Sequence, residues 1–140
     1  YGKAELLGIR IDGKGDVTDT HIVWRLRKGA PNKPSPVLHN GHLYTVTDGG
    51  IASCIHPKTG NIIWQARIGG EYSASLLLSE GNIYCFDQGG ICLVFQANPK
   101  EFKQVSKSKL DDGFMSSPAA LLKSLILRTK THLYRIQKKS

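Results

Sequence analysis

SPVLHNGHLYTVTDGGI, residues 35–51, returns forty positions later as SLLLSEGNIYCFDQGGI, residues 75–91. A second pair at the same offset aligns IVWRLRKG, residues 22–29, with IIWQARIG, residues 62–69. A period of about 40 residues is typical of architectures that stack one small structural unit several times. The residues shared by the two copies, numbered in the first, are Ile22, Trp24, Arg27, Gly29, Ser35, Leu38, Gly41, Tyr44, Gly49, Gly50 and Ile51.

Short runs of apolar, β-branched or aromatic residues alternate with clusters of Gly, Asn, Asp and Pro, a pattern typical of an all-β protein. The one helix candidate, AALLKSLILRT (119–129), aligns with earlier copies as two strands with a turn near Lys123. Four short strands in about 40 residues is the spacing of β-propeller blades, and one blade cannot bury both of its faces alone. The strands are predicted near 6–11, 21–26, 36–39, 43–47, 51–55, 62–67, 75–78, 82–87, 91–95, 102–106, 118–122, 125–129 and 132–136.

The sequence therefore predicts a partial β-propeller of four-stranded antiparallel blades, with about three blades' worth of strands. The repeat divides it into a trailing half blade (1–30), two blades (31–70 and 71–114) and an incomplete blade (115–140). Closed propellers need at least about four blades. We therefore expect the C-terminal part of a longer protein, with the remaining blades of that parent or a second copy of the chain as partners.

The formal charge of +8 is concentrated in the last third of the chain. Residues 1–96 carry nine Lys/Arg and eight Asp/Glu, whereas residues 97–140 carry ten and three. These cations are not interleaved with aromatic residues and match no nucleic-acid motif, so we expect a solvated edge rather than a nucleic-acid site. No apolar run reaches the roughly 18 residues of a membrane helix, so no transmembrane segment is expected.

The three cysteines have neither the pairing of a disulfide framework nor the spacing of a zinc site. Cys85 and Cys92 flank one predicted hairpin turn, but a disulfide directly across paired strands is usually strained. We therefore expect small buried thiols at Cys54, Cys85 and Cys92.

No stretch of the chain has the pattern of a catalytic or metal site. DGKGDVTD, residues 12–19, is not a calcium loop, because Lys14 stands at the second ligand position and Val17 where a Gly is required. The five histidines lie on separate predicted strands and turns, and no serine lies in a nucleophile elbow. We predict no catalytic, cofactor-binding or metal-ligating residue, and hence no cofactor.

CIHPKTGNIIW, residues 54–64, resembles the repeat of the pyrroloquinoline-quinone (PQQ) type propellers, Ala-x-Asp-x-x-Thr-Gly-x-x-x-Trp. Thr59, Gly60 and Trp64 match this pattern, while other residues replace its Ala and Asp. The resemblance covers nearly the whole chain. It implies a bacterial PQQ-like repeat protein, also called quinoprotein alcohol dehydrogenase-like, of the kind also found attached to serine/threonine kinases.

The repeat residues have a structural role in blade docking. Thr59 and Gly60 are expected to form a tight turn in which Gly adopts a conformation that other residues avoid. Trp64 on the outer strand is expected to lie against the next blade, as is Trp24 one blade earlier. Gln104 stands at the same position in the third copy, so we expect weaker docking there.

In quinoprotein dehydrogenases the cofactor stacks on a Trp near the propeller axis, over two neighbouring cysteines and beside a calcium ion. This chain has no adjacent cysteine pair, and both tryptophans fall at outer-strand positions. The resemblance therefore implies a noncatalytic scaffold that binds a protein or a small ligand, in a periplasmic or otherwise extracytoplasmic place. The alternatives are a fragment of a PQQ-dependent dehydrogenase and a sensor extension of a bacterial serine/threonine kinase.

Propellers usually bind partners at one end of the axial channel, through loops between blades and between middle strands. The candidate residues in these loops are Asp48, Tyr72, Phe114, Met115 and Lys130. For the three apolar candidates, a place at a blade interface is the alternative. The candidate loops are 27–33, 48–50, 69–72, 87–90, 111–116 and 130–131.

Overall fold

The computed structural model describes residues 3–110 and 112–137, and within them it contains thirteen β-strands and no α-helix. The described part of the chain leaves out residues 1–2, 111 and 138–140. These residues include the outer ends of the first and last predicted units and the start of the loop 111–116. The strands are β1 (Leu6–Ile9), β2 (Ile22–Leu26), β3 (Val37–His39), β4 (His42–Val46), β5 (Ile51–Ile55), β6 (Ile62–Arg67), β7 (Leu77–Ser79), β8 (Asn82–Phe86), β9 (Ile91–Gln96), β10 (Gln104–Lys109), β11 (Ala119–Leu121), β12 (Ser124–Arg128) and β13 (Leu133–Gln137).

These strands form four antiparallel sheets in which every hydrogen-bonded neighbour is also the neighbour in sequence. Sheet 1 contains β1 and β2, sheet 2 contains β3 to β6, sheet 3 contains β7 to β10, and sheet 4 contains β11 to β13. Each sheet is thus a simple meander without a crossover. The all-β prediction is confirmed.

The first hairpin of sheets 2, 3 and 4 turns at equivalent places. Asn40 and Glu80 adopt φ values of 45° and 49°, and each is followed by a glycine. In the third copy Leu122 adopts φ 50° and Lys123 follows it. Because the chain reverses at Leu122, the helix candidate 119–129 forms the two strands β11 and β12, as predicted.

The largest difference from the predicted strand bounds is at β10, which spans Gln104–Lys109 rather than 102–106. The turn before it is held by its own hydrogen bonds. The Asn98 side chain accepts the amide of Lys100 at 2.9 Å, and the Gln96 amide donates to the Lys103 carbonyl at 3.0 Å. These bonds extend the turn, so the strand begins later in the sequence.

The buried core lies between sheets, because side chains of a strand alternate between its two faces. The first core cluster, between sheets 2 and 3, contains Tyr44, Val46, Ala52, Cys54, Tyr72, Leu76, Ile83, Cys85, Leu93 and Phe95. The second core cluster, between sheets 3 and 4, contains Ala74, Phe86, Phe114 and Leu127. The sheets therefore stack face to face along the chain.

Three equivalent serines connect the first strands of sheets 2, 3 and 4. The Ser35 amide donates to Ser75 Oγ at 3.1 Å, and the Ser75 amide donates to Ser117 Oγ at 3.0 Å. The same residue is thus acceptor for one sheet and donor to the next. This repeated bond links equivalent positions of successive sheets. The sequence period is therefore matched by a repeated contact between sheets.

Candidate functional site

The tight turn between β5 and β6 receives Trp24 from the neighbouring sheet. The Trp24 indole Nε1 donates to the Pro57 carbonyl oxygen at 2.8 Å. Gly60 in this turn has φ 73°, and a Cβ placed on it would lie 2.7 Å from Trp24 Cδ2. Thr59 Oγ1 accepts the Asn61 amide at 3.3 Å within the same turn. Gly60 therefore combines a left-handed conformation with a close approach that a side chain would obstruct.

Trp64 makes the equivalent contact one sheet later. Its indole Nε1 donates to the Asn98 carbonyl oxygen at 2.9 Å, in the turn between β9 and β10. Its ring centroid lies 6.2 Å from those of Tyr44 and Phe95 and 5.8 Å from that of Phe102. Both tryptophans thus reach from the outer strand of one sheet to a turn of the next.

Gln104 stands at the equivalent position in sheet 3. It belongs to β10, all six residues of which are exposed along the strand. The corresponding strand of sheet 2, β6, is exposed only in part. The third copy therefore lacks an aromatic ring at the place where Trp24 and Trp64 contact the next sheet.

Two of the candidate partner-binding side chains, Tyr72 and Phe114, are each 1% exposed and lie in the first and second core clusters. Their amides donate to the carbonyls of Asp48 and Asp87, at 2.8 Å and 3.0 Å. Burial also raises the pKa of the Tyr72 hydroxyl. A partner-anchoring role does not fit these side chains. They line the interfaces between sheets, the alternative that the sequence had left open.

Of the other three candidates, Asp48 is half-buried, and Met115 and Lys130 are exposed. Asp48 Oδ1 accepts the amide of Asn32 at 2.8 Å, and Asp48 Oδ2 lies 3.8 Å from Lys33 Nζ. Met115 is 56% exposed, and Lys130 is exposed in the turn after β12. The bridge between Phe114 and Thr129 places the Met115 loop beside the Lys130 turn.

One buried acid in these turns was not singled out from the sequence. Asp87 is 4% exposed, and its Oδ1 accepts the amides of Gly89 and Ile91 at 2.9 Å and 2.7 Å. Thr47 makes the equivalent hydrogen bond one copy earlier, where its hydroxyl accepts the Ile51 amide at 3.0 Å. The alignment of Thr47 with Asp87 in the two copies was the sequence signal that could have identified this residue. Asp87 therefore holds its turn in shape.

The sequence profile of the family described as "Outer membrane protein assembly factor BamB" matches residues 14–129. The chain belongs to this family. The prediction of a PQQ-like propeller repeat protein is thereby confirmed. A search of curated protein sequences found no match.

Solved structures show the same fold for this BamB-family chain. BamB from Moraxella catarrhalis has a TM-score of 0.71 and 14% identity, with 97% of this chain and 40% of that chain covered. Quinohemoprotein alcohol dehydrogenases from Pseudomonas putida HK5 (ADHIIG) and Comamonas testosteroni both have a TM-score of 0.55, with 12% and 19% identity. Each pairing covers 68% of this chain and 16% of the dehydrogenase. The chain thus spans 40% of the Moraxella BamB structure, and the partial propeller is confirmed.

The three cysteines of the BamB-family chain are free thiols. Cys54 and Cys85 are fully buried, and Cys92 is half-buried. Burial raises the pKa of all three thiols, that of Cys92 to about 11 even though a hydrogen bond with Ser108 lowers it. The expectation of small buried thiols is confirmed for Cys54 and Cys85.

The polar loop 12–19 is organised by a contact within the loop and by a contact with Arg10 beside it. Asp16 Oδ1 accepts the Thr18 amide at 3.0 Å, and Asp12 Oδ1 lies 3.2 Å from Arg10 Nε. Within residues 3–110 and 112–137, no three His, Cys, Asp or Glu side chains lie close enough together to hold a metal ion. The same part of the chain contains no helix long and apolar enough to cross a membrane.

Proposed function

We propose that this BamB-family chain is a noncatalytic interaction scaffold that holds a protein partner or a small ligand at one end of a propeller. The observation that carries this proposal is the position of the two tryptophans. Trp24 and Trp64 both donate their indole hydrogens to carbonyl oxygens of a neighbouring sheet. Their rings are used to hold sheets together, so the repeat motif serves architecture rather than chemistry.

The binding end is formed by the turns that follow β4, β8 and β12. Met115, in the adjoining loop before β11, and Lys130, in the turn after β12, are exposed there, and Asp48 in the turn after β4 is half-buried. They are an apolar side chain, a base and an acid. Tyr72 and Phe114 lie buried beneath these turns and connect them to the two core clusters. A rigid floor below accessible loops is the arrangement that proteins commonly use for recognition.

Site-specific crosslinking in the producing cell tests the scaffold proposal. A photoreactive residue replaces Met115 or Lys130, and Lys14 in the polar loop 12–19 is the matched exposed control. We expect the same crosslinked partner from Met115 and Lys130 and none from Lys14, with capture suppressed by excess unlabelled chain. Equal crosslinking at all three positions, or none at Met115 and Lys130, would contradict a partner-binding end.

The second candidate is a fragment of a quinoprotein dehydrogenase, and it is favoured by the fold shared with the two quinohemoprotein alcohol dehydrogenases. The residues present do not fit the quinone cofactor, because no two cysteines are adjacent in the sequence and both indoles are hydrogen-bonded between sheets. Adding PQQ and calcium to the full-length parent and measuring alcohol-dependent dye reduction decides between the two. Robust turnover would defeat the scaffold proposal.

Three further parts of the proposal concern the parent protein. We propose an extracytoplasmic location and a C-terminal place in a longer chain, whose remaining blades or a second copy adjoin this one. A sensor extension of a serine/threonine kinase is the third candidate function. The gene sequence upstream of residue 1 tests these points together, since kinase motifs followed by a single membrane span would favour the sensor. Light scattering of the isolated chain tests pairing of copies.

A further inference from the structure

The hairpin between β3 and β4 places two histidines directly opposite each other. His39 ends β3, His42 begins β4, and the two residues are partners across the paired strands. Only Asn40 and Gly41 lie between them, with φ values of 45° and 73°. Directly opposed residues of an antiparallel pair share one face of the sheet, with Cβ atoms about 4.5–5.5 Å apart. The two imidazole rings are therefore neighbours.

Both histidines lie on the face of sheet 2 that packs against sheet 3. Val37 and Tyr44 are the next pair on this face, and both contact or belong to the first core cluster between the two sheets. His39 and His42 lie two residues further toward the turn on the same strands, so they share that face. Each histidine is half-buried. Sheet 2 has sheet 3 on this side and Trp24 of sheet 1 on the other, so the pair is formed within this chain and requires no further blade.

Hydrogen bonds to Asn40 decide which ring nitrogens of the neutral histidines carry hydrogen. His42 Nδ1 lies 3.0 Å from the Asn40 carbonyl oxygen, which only accepts, so Nδ1 is the donor and Nε2 keeps its lone pair. His39 Nε2 lies 3.1 Å from Asn40 Nδ2, which only donates, so Nε2 is the unprotonated nitrogen there too. A ring N–H bonded to a backbone carbonyl is the usual support of a histidine that ligates a metal ion through its other nitrogen.

The repeat shows that the fold does not require histidine at either position. Ser79 and Asn82 stand opposite each other at the equivalent places of sheet 3. Asn82 Nδ2 donates to the Glu80 carbonyl at 3.5 Å, as His42 donates to the Asn40 carbonyl. A side chain without an imidazole ring therefore serves this turn. The two histidines add something that the turn does not use, a pair of unprotonated ring nitrogens.

Two imidazoles at this spacing suit a divalent ion of the late first-row transition metals. Neutral imidazole is a favourable ligand for Zn²⁺, Cu²⁺ and Ni²⁺. Nitrogens that share one Zn²⁺ at about 2.0–2.1 Å stand roughly 3 Å apart, which rings on directly opposed residues reach by side-chain rotation. The bond that His39 Nε2 gives up is an exposed one to the Asn40 amide. Since no third His, Cys, Asp or Glu of the described residues is close enough to join, water completes the coordination.

We propose that His39 and His42 form a two-histidine site for a divalent transition-metal ion. The site lies at the opposite end of sheet 2 from Asp48, because β4 leads from His42 to the turn that contains Asp48. It is therefore separate from the proposed binding end and does not rest on the scaffold function. A bound ion links the first two strands of sheet 2 across their hairpin and presents exchangeable water positions at this end of the sheet.

Titration with zinc chloride tests the site, on the purified chain prepared without a polyhistidine tag. We expect saturable binding of about one ion by calorimetry, reversal by EDTA, and NMR shifts of Nε2 in His39 and His42. H39S and H42N introduce the residues that sheet 3 has at these positions, so the turn should be kept. Each should weaken binding about tenfold or more, because one of two joined ligands is lost. H56Q is the matched control at an exposed histidine of the same sheet and should not change the affinity.

Four results would overturn the proposal. The first is the absence of saturable zinc binding, and the second is equal shifts at all five histidines, which would indicate adventitious surface binding. The third is undiminished affinity in H39S or H42N. The fourth is a loss in H56Q as large as in H42N, which would place the site elsewhere. Circular dichroism confirms that each variant is folded, and the shifts in the unmodified chain test the site without any substitution. Crosslinking at Met115 and Lys130 reports on the scaffold function independently of all four.

Discussion

The junction between sheets 2 and 3 and the junction between sheets 3 and 4 are built from aligned copies of the same sequence unit, yet they pack differently. The first is closed on its outer side by Trp64, which contacts Tyr44, Phe95 and Phe102 and bonds to the turn before β10. The second has Gln104 at that position and a smaller buried cluster, centred on the Phe86–Phe114 pair at 5.1 Å. Copies that share strands therefore need not share their packing, and the outer-strand Trp64 is present in the first junction and absent from the second.

Replacing Trp64 should have the largest effect. We expect W64A to lower the free energy of unfolding by about 3 kcal/mol or somewhat more, since it removes a large, half-buried ring and its bond to Asn98. Urea unfolding followed by circular dichroism measures the loss. The matched variant Q104A should change it by less than about 0.5 kcal/mol, because β10 is exposed.

Should W64A fail to fold, W64F is the alternative variant, because it keeps an aromatic ring. Loss of the indole hydrogen bond to Asn98 should then lower the free energy of unfolding by about 1 kcal/mol. Equal effects of W64A and Q104A would show that the two junctions do not differ in the way described.

Gly60→Ala should have the next largest effect, because it imposes a left-handed conformation on Ala and moves Cβ into the Trp24 ring. We expect a loss of about 3 kcal/mol in unfolding free energy. Gly69→Ala is the matched control, since Gly69 has φ 72° but open space around its Cβ, and should cost only about 1 kcal/mol. Equal losses in the two variants would mean that Trp24 does not occupy the turn.

The serine bonds should distinguish the junctions least. Ser75→Ala removes the acceptor for Ser35 in the first junction, and Ser117→Ala removes the acceptor for Ser75 in the second. Each should cost about 0.5–1 kcal/mol, measured by the same urea titration, because the bonds are exposed to solvent. Ser106→Ala on the exposed β10 serves as control. A much larger loss in one junction than the other would show that the serine repeat is not equivalent.

Thiol labelling needs no substitution and sharpens the comparison further. Cys92 belongs to the second junction, and its raised pKa of about 11 keeps it protonated at neutral pH. Labelling by iodoacetamide, read by mass spectrometry, should reach Cys92 before Cys54 or Cys85 and should accelerate until about pH 11. Because folding favours the neutral thiol, its contribution to stability is complete below pH 9 and falls between pH 9 and about 11. Earlier labelling of Cys54 or Cys85 would reverse the proposed order of the junctions.

Much of the fold was readable from the repeat, because turns and alternating apolar residues are local features. The strand pair at 119–129 illustrates this, since only alignment with earlier copies separated it from a helix. The partner-binding residues were less readable. Tyr72 and Phe114 were candidates by their position in loops, and loop position does not reveal whether a side chain turns inward.

The sequence by itself determined the all-β class, the number of strands and the placement of Thr59, Gly60 and the two tryptophans in a repeating pattern. Only the tertiary structure decided which way Arg135 faces. The Thr129 amide bonds to the His132 carbonyl, whereas the Asp87 amide bonds to the Ile91 carbonyl, so the turn after β12 is one residue shorter. A shift of one residue moves a side chain to the other face of a sheet. Direct alignment would set Arg135 against buried Leu93, while the strand register pairs it with Ile126, on the face of sheet 4 that points away from sheet 3.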